Sequence, residues 1–477
     1  MSNKKFYNSL SRRDFLKVSG SLLGAAAGSA LLSKAFLQPD EVVQAAWTAS
    51  GSKAPLRSSV AAANQQVNGQ ELHFAATDGW ITLPPDKTVP PYHPDNMAPE
   101  PFTTYIFGFR NVTGLNKNQT FSQKMKAQLT APLFWLEQET DNILTVTNLG
   151  LAIRPDLIDA HTLHFHGFRN AIPIFDGEPH SSVGIPIARE LTYFYRPHDP
   201  GTYMYHCHFE ETEHVHMGMV GPCFVTPIQN YEAPASWNGP EPWIMALLAG
   251  GTAEGAPRGY VFNDEDGSTA YDREFIMMVT EIWTESHWCD SHVQLPEWSD
   301  YNPEFYLLNG RVYPDTLLPN GGGTDFVPPN VGELIAPDGY PELQYQPVSS
   351  LVNCNAGDRV LFRIINLGFE EQAMRLAGIK MKVVGKDATM LRGRDGTDLT
   401  YFSSSVNVGP GESTDAIFTA PPFDASKATP DGYNVYLFYN RNYNRLSNGG
   451  HSGYGGAMTE IRVYPENQLP AQIGPNT

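Results

Sequence analysis

From about residue 101, apolar residues come in short runs that alternate with polar ones, and each run stops at Gly, Pro, Asn or Asp. LFWLEQ, the pair Asp141-Asn142 and ILTVTNLG read as a strand, a turn and a half-buried strand. ELTYFYRP, the turn HDPG and TYMYHC repeat that form. No convincing amphipathic helix interrupts the pattern, so residues 101–230 predict a β-sandwich with chemistry at strand ends and loops. Residues 47–100, rich in Pro, Asn and Asp, read as an extended arm wrapping a domain. Residues 231–270 shift to Pro, Gly, Ala and acidic residues and read as an interdomain connection. Within that connection WIMALLAG fits either a strand or a packed segment.

The region 271–465 repeats 101–230, leaving 466–477 as a tail. DNILTVTNLG at 141–150 has a near-copy in DRVLFRIINLG at 358–368. HTLHFHG at 161–167 is matched by QAMRLAG at 372–378, and YHCH at 205–208 by FYNR at 438–441. Gly218-Met219 finds its echo near Gly456-Ala457-Met458. The apolar and glycine skeleton is shared, whereas His161, His164 and His166 correspond to Gln372, Arg375 and Ala377. His206, Cys207 and His208 correspond to Tyr439, Asn440 and Arg441.

Those unmatched residues carry the chemistry. In GTYMYHCHFEETEHVHMGMVG, Cys207 stands between His206 and His208, and His214 and Met219 follow. Thiolate, imidazole and a weak thioether are the ligand set of a blue copper centre, whose second imidazole HTLHFHG can supply. Zinc accepts Cys and His equally well but has no use for Met219. His216, two residues beyond His214, competes with it for the metal. His206 and His208 flank Cys207 and point to the opposite face of the strand, which lets one strand serve two metal sites. His164, His166, His206 and His208 are imidazoles that the first domain offers either to an incomplete copper site or to hydrogen bonds alone, and the second domain lacks a mirror-image quartet. Arg375 and Arg441 have no lone pair for copper. Asp159 and Asp176 are candidate acceptors that orient ligand imidazoles. SHWCDSH at 286–292 reads as a surface loop ahead of a small metal site.

Charge and leader place the chain. The formal charge of −19 argues against nucleic acid and anionic lipid as partners and suits a basic redox partner. SLSRRDFLK at 9–17 resembles a twin-arginine export signal. The apolar stretch Val18–Leu32 is too short and weak for a membrane span, and Ala45-Ala46 offers a cleavage point. Residues 1–46 hold six Lys/Arg and three Asp/Glu, so their removal takes the charge from −19 to −22. Beyond Cys207, the cysteines Cys223, Cys289 and Cys354 allow at most one internal disulfide.

HTLHFHGF, FDGEP, GTYMYHCHFEETEH, FNDEDGST, LLNGRVYPD and the NLG strands together resemble the multicopper oxidases, in their two-domain, laccase-like branch related to copper nitrite reductases. The resemblance runs from ATDGW at 76–80 to the C-terminus. It implies an all-β fold of two cupredoxin-like Greek-key β-sandwich domains, behind the signal and the arm. By resemblance, His161, Cys207, His214 and Met219 hold a type 1 copper, and His164, His166, His206 and His208 are the first-domain half of a trinuclear cluster. The family completes that cluster from the second domain, often across a trimer interface. Three readings follow: an exported one-electron carrier with a single blue copper, serving a redox protein or small molecule; an active oxidase completed by another subunit; and a copper store using His180, His198, His216, Met204 and Met217.

Overall fold

A computed structural model of the chain describes residues 71–84, 96–100, 103–169, 171–232, 242, 244–245, 256–321, 334–450 and 453–477. The export signal, residues 47–70 of the expected arm and most of WIMALLAG lie outside them. No described helix is long and apolar enough to cross a membrane.

The first sandwich comprises β1 (Glu71–Thr82), β2 (Thr103–Asn111), β3 (Phe134–Glu137), β4 (Asn142–Asn148), β5 (His164–His166), β6 (Glu190–Tyr195), β7 (Gly201–His206) and β8 (Val220–Thr226). Its sheets run β2-β1-β4-β6 and β3-β8-β7-β5. Two short helices lie in its connections, α1 (Lys117–Phe121) between β2 and β3 and α2 (Glu211–His216) between β7 and β8.

The second begins with β9 (Gly259–Tyr260), β10 (Ala270–Tyr271) and β11 (Arg273–Ile282), then α3 (Thr284–Ser291), β12 (Phe305–Leu308), β13 (Val352–Asn355) and β14 (Arg359–Asn366). It continues through β15 (Gln372–Leu376), β16 (Met381–Lys386), β17 (Thr389–Met390), β18 (Tyr401–Ser403), β19 (Ser405–Val408), β20 (Ser413–Thr419), β21 (Asn434–Asn440) and β22 (Met458–Tyr464). Its sheets run β12-β11-β14-β20-β16-β17, with β18 on β16, and β13-β22-β21-β15-β19.

The duplication therefore extends to topology. Parallel β1·β4 matches parallel β11·β14, and parallel β3·β8 matches β13·β22. Each sandwich encloses its own core, one around Phe107, Phe134, Phe165 and Tyr205, the other around Phe362, Phe418 and Phe438. A third apolar cluster joins them, with Ile106, Met204 and Phe224 against Met278, Leu307 and Ile365. This explains β11, where REFIMMVTEI is buried throughout rather than alternately. Such a strand has core on one face and the other domain on the opposite face.

Two segments differ from expectation. Residues 71–82, assigned to the arm, form β1, paired with β2 on one edge and β4 on the other. The burial of ELHFAATDGWIT comes from strands distant in sequence, which local composition does not encode. SHWCDSH lies mostly in α3 rather than in a surface loop, and buries His287. The tail packs against β11, where Gln472 and Asn476 accept from the Glu274 and Ile276 amides at 2.7 and 2.8 Å.

Candidate metal centre

Backbone hydrogen bonds bring the separated donors to one end of the first sandwich. The Cys207 amide donates to Met219 O at 3.1 Å and the Met219 amide to His214 O at 2.9 Å, tying the end of β7, α2 and the start of β8 together. Gly218 permits this turn. Its φ is +114°, and a Cβ there would sit 2.9 Å from Phe107 O. His161 exchanges both backbone hydrogen bonds with Ile185, at 3.1 and 2.9 Å. The Asn148 side chain holds that pair in place by donating to Ile185 O at 2.8 Å and Asp159 O at 2.9 Å. The start of β7 is anchored to the second domain, where Thr202 bonds Asp415 and accepts from Arg363 at 3.0 Å.

At the resulting focus Cys207 Sγ lies 3.4 Å from His214 Nδ1 and 3.8 Å from His161 Nδ1. All three residues are buried. The Thr162 amide points at the sulfur from 3.5 Å and favours its anionic form. Burial opposes charge on Cys207, but the positive His214 and hydrogen bonds from His161 and His214 prevail and hold the thiol well below its ordinary value. Burial likewise works against His214, yet Cys207 and Asp159 push it up to about 10. Asp159 Oδ2 stands 3.6 Å from His214 Nε2, a charge contact on the ring nitrogen opposite the one that faces the sulfur. Met219 is fully buried in the same core. A buried thiolate, two Nδ1 donors and a neighbouring thioether fit copper by softness and by count.

On the other side of β7, His164 opposes His206 in register, and with His166 their ring nitrogens form a second group of potential ligands. His166 Nδ1 and His206 Nε2 are 3.3 Å apart, and the His164 and His208 rings stack edge-on at 4.9 Å. Three of the four rings are oriented from outside: His164 Nδ1 bonds Asp176 O at 2.6 Å, His206 Nδ1 bonds Cys207 O at 2.8 Å, and His208 Nδ1 meets Glu211 at 2.6 Å. Asp176 thus acts through its carbonyl; its carboxylate stays at 3.6 Å. Burial, helped by the neighbouring imidazoles, lowers His164 and His166 and brings His206 down to about 3, which leaves lone pairs free for a metal.

Sequence profiles described as multicopper oxidase match residues 116–230 and 245–428. The chain belongs to the multicopper oxidase family. Among solved structures it is similar to a blue copper oxidase from Nitrosomonas europaea, at 19% identity and TM-score 0.50, over 83% of this chain and 86% of that one. It is also similar to the multicopper oxidase mgLAC, at 19% identity and TM-score 0.51, over 84% and 88% of the two chains. At that identity these structures support the cupredoxin-like fold. No curated protein matches.

The second domain carries different residues at the matched positions. Arg375 opposes Tyr439 in register where the first domain sets His164 against His206. At the positions of His161 and Cys207 stand Gln372 and Asn440, fully buried and joined by a 2.5 Å hydrogen bond from Asn440 Nδ2 to Gln372 Oε1. The register also corrects the Met echo. The Asn440 amide donates to Ala457 O, as Cys207 does to Met219 O, so a methyl replaces the thioether and Met458 matches Val220. His216 turns away from Cys207 toward the second domain, against His287 and Tyr301, with ring centroids 5.0 and 5.4 Å away. All four cysteines are free and buried, so the disulfide that the count permits is not formed. Sequence reasoning missed Thr162 and Asn148, which act through a backbone amide and a bridging carboxamide; the NLG repeat was the one available signal for Asn148.

Proposed function

We propose that this multicopper oxidase family member is an exported one-electron carrier, its working part a single blue copper in the first domain. Cys207, His161, His214 and Met219 would hold the copper, the thioether as its weakest donor. Bound there, copper supplies reversible one-electron redox chemistry. Around it, the Thr162 amide points at the sulfur, Asp159 makes its charge contact with the His214 ring, and burial keeps bulk water off the thiolate. The observation that carries the reading is the register-matched contrast of His164 against His206 and Arg375 against Tyr439. A guanidinium and a phenol stand where the family's second imidazole half belongs, so oxygen reduction lacks its cluster. A basic redox protein or a small-molecule donor or acceptor suits the surplus of acidic residues.

The convergence of His164, His166 and His206 favours a second reading, in which these imidazoles bind further copper and another subunit of a homotrimer completes an active oxidase. Storage finds less support. His180 and His198 are exposed and pair separately with Glu178 and Glu139, and Met204 and Met217 lie in different apolar clusters. Metal analysis with visible absorption on the mature protein separates the readings. About one copper per chain with an intense blue or green band and no oxygen uptake supports the carrier. Several coppers with oxygen uptake overturn it in favour of the oxidase, and colourless labile copper in favour of storage.

A further inference from the structure

A continuous line of aromatic rings leaves the copper site for the half-buried edge of the first sandwich. His214 meets Phe107 edge-on with centroids 5.8 Å apart, Phe107 meets Tyr105 at 5.6 Å, and Tyr105 meets Trp80 at 5.3 Å. The sheet dictates this order. Tyr105 and Phe107 are two apart on β2 and share a face, while Trp80 and Tyr105 are direct partners across β1·β2. Tyr105 is 1% exposed and its hydroxyl donates to Asp78 Oδ2 at 2.7 Å. That oxygen also accepts from the Ala152 and Ile153 amides at 2.6 and 2.9 Å. A tyrosine can pass an electron only if its phenol proton has somewhere to go, and here the acceptor is built in.

Resting on the blue copper reading, we infer that Trp80 and Tyr105 are redox stations that carry an electron from the copper site to strong one-electron oxidants, such as organic radicals, at the Trp80 edge. An oxidant takes one electron from Trp80, leaving its radical cation. Tyr105 refills Trp80 with one electron as its phenol proton crosses to Asp78, giving a neutral tyrosyl radical and a protonated carboxyl. Tyr105 would be restored, as Asp78 returns the proton, by one electron that bound Cu(I) would supply through His214 and Phe107. The sum is one electron moved from Cu(I) to the oxidant, with no net proton. Phe107 is only a bridge, since its ring is far harder to oxidise than indole or phenol.

The test is flash photolysis of the mature, Cu(I)-loaded protein with photogenerated tris(bipyridine)ruthenium(III) as the oxidant. A tyrosyl radical signal should rise and then decay as the Cu(II) band grows. Tyr105→Phe should lose most of that signal and slow the growth, and Trp80→Phe should delay both. Tyr301→Phe, which removes a tyrosine–carboxylate pair of the second domain (Tyr301 to Glu281, 3.0 Å), should change neither. In the metal-free protein the radical should outlive its Cu(I)-loaded counterpart and be lost in Tyr105→Phe. Equilibrium band intensity reports whether each variant holds copper normally. Growth at the wild-type rate in both Tyr105→Phe and Trp80→Phe overturns the relay and leaves the copper reading standing. If no band forms in any protein, the copper reading falls and the relay with it.

Discussion

The two sandwiches share a hydrogen-bonded frame that reaches single amides, yet among the described residues only the first gathers Cys and His donors for a soft metal. Asn148 and Asn366 each clamp two backbone carbonyls and accept from the Gly two residues on, at 2.8 Å in the first domain and 2.9 Å in the second. Asp78 and Glu281, each two residues beyond the partner of that Asn, accept two backbone amides and a tyrosine hydroxyl. Within this common frame Cys207 and His161 become Asn440 and Gln372, which bond to each other instead of facing a metal. Scaffold and site are therefore separable, and a site can be lost while every strand that supported it persists.

The largest effect expected is on colour. Cys207→Ser should abolish the blue or green band, whereas Asn440→Ser at the matched position should leave it intact; a band surviving Cys207→Ser refutes the thiolate assignment. Next come the clamps. Asn148→Ala and Asn366→Ala each remove three buried hydrogen bonds and should cost about 3 kcal/mol of unfolding free energy. Competition with a chelator should show weakened copper retention for Asn148→Ala alone, and equal weakening by both would undo the separation of scaffold from site.

A similar magnitude is expected from pH at Glu281, a buried acid of the second domain. Burial lifts Glu281 to about 7 from an ordinary 4.5. Between those values the folded chain keeps a proton that the unfolded chain has released. Its contribution, about 3 kcal/mol, is complete below pH 4.5 and disappears as pH rises through about 7. Denaturant titrations across that window should show a smaller loss in Glu281→Gln than in the unsubstituted chain; an identical slope in the variant would remove Glu281 as a source. The smallest change is in the plug. Asn440→Ala should destabilise the fold by about 2 kcal/mol and leave the visible spectrum untouched. A shift in that spectrum would mean that the domains are coupled electronically or mechanically.

Much of the scaffold was legible because strand period and turn residues are local properties. ILTVTNLG announces its half-buried strand without help from the rest of the chain. The arm was misread because the identity of β1 depends on parallel pairing with β4, some seventy residues away, which no local pattern records. α2 escaped notice because six residues are too few for a helical period, although this helix presents His214 to Cys207 and turns His216 away.

By itself the sequence determined the ligand types, the duplicated frame and the loss of imidazoles from the second half, since each is a matter of residue identity and spacing. Tertiary structure alone decided that His161 and His214 offer Nδ1 to one sulfur, that Gln372 and Asn440 close on each other, and that Ala457 rather than Met458 occupies the thioether position. The physical reason is register. A slip of one residue sends a side chain to the opposite face of its sheet, and register is fixed by hydrogen bonds between segments far apart in the chain.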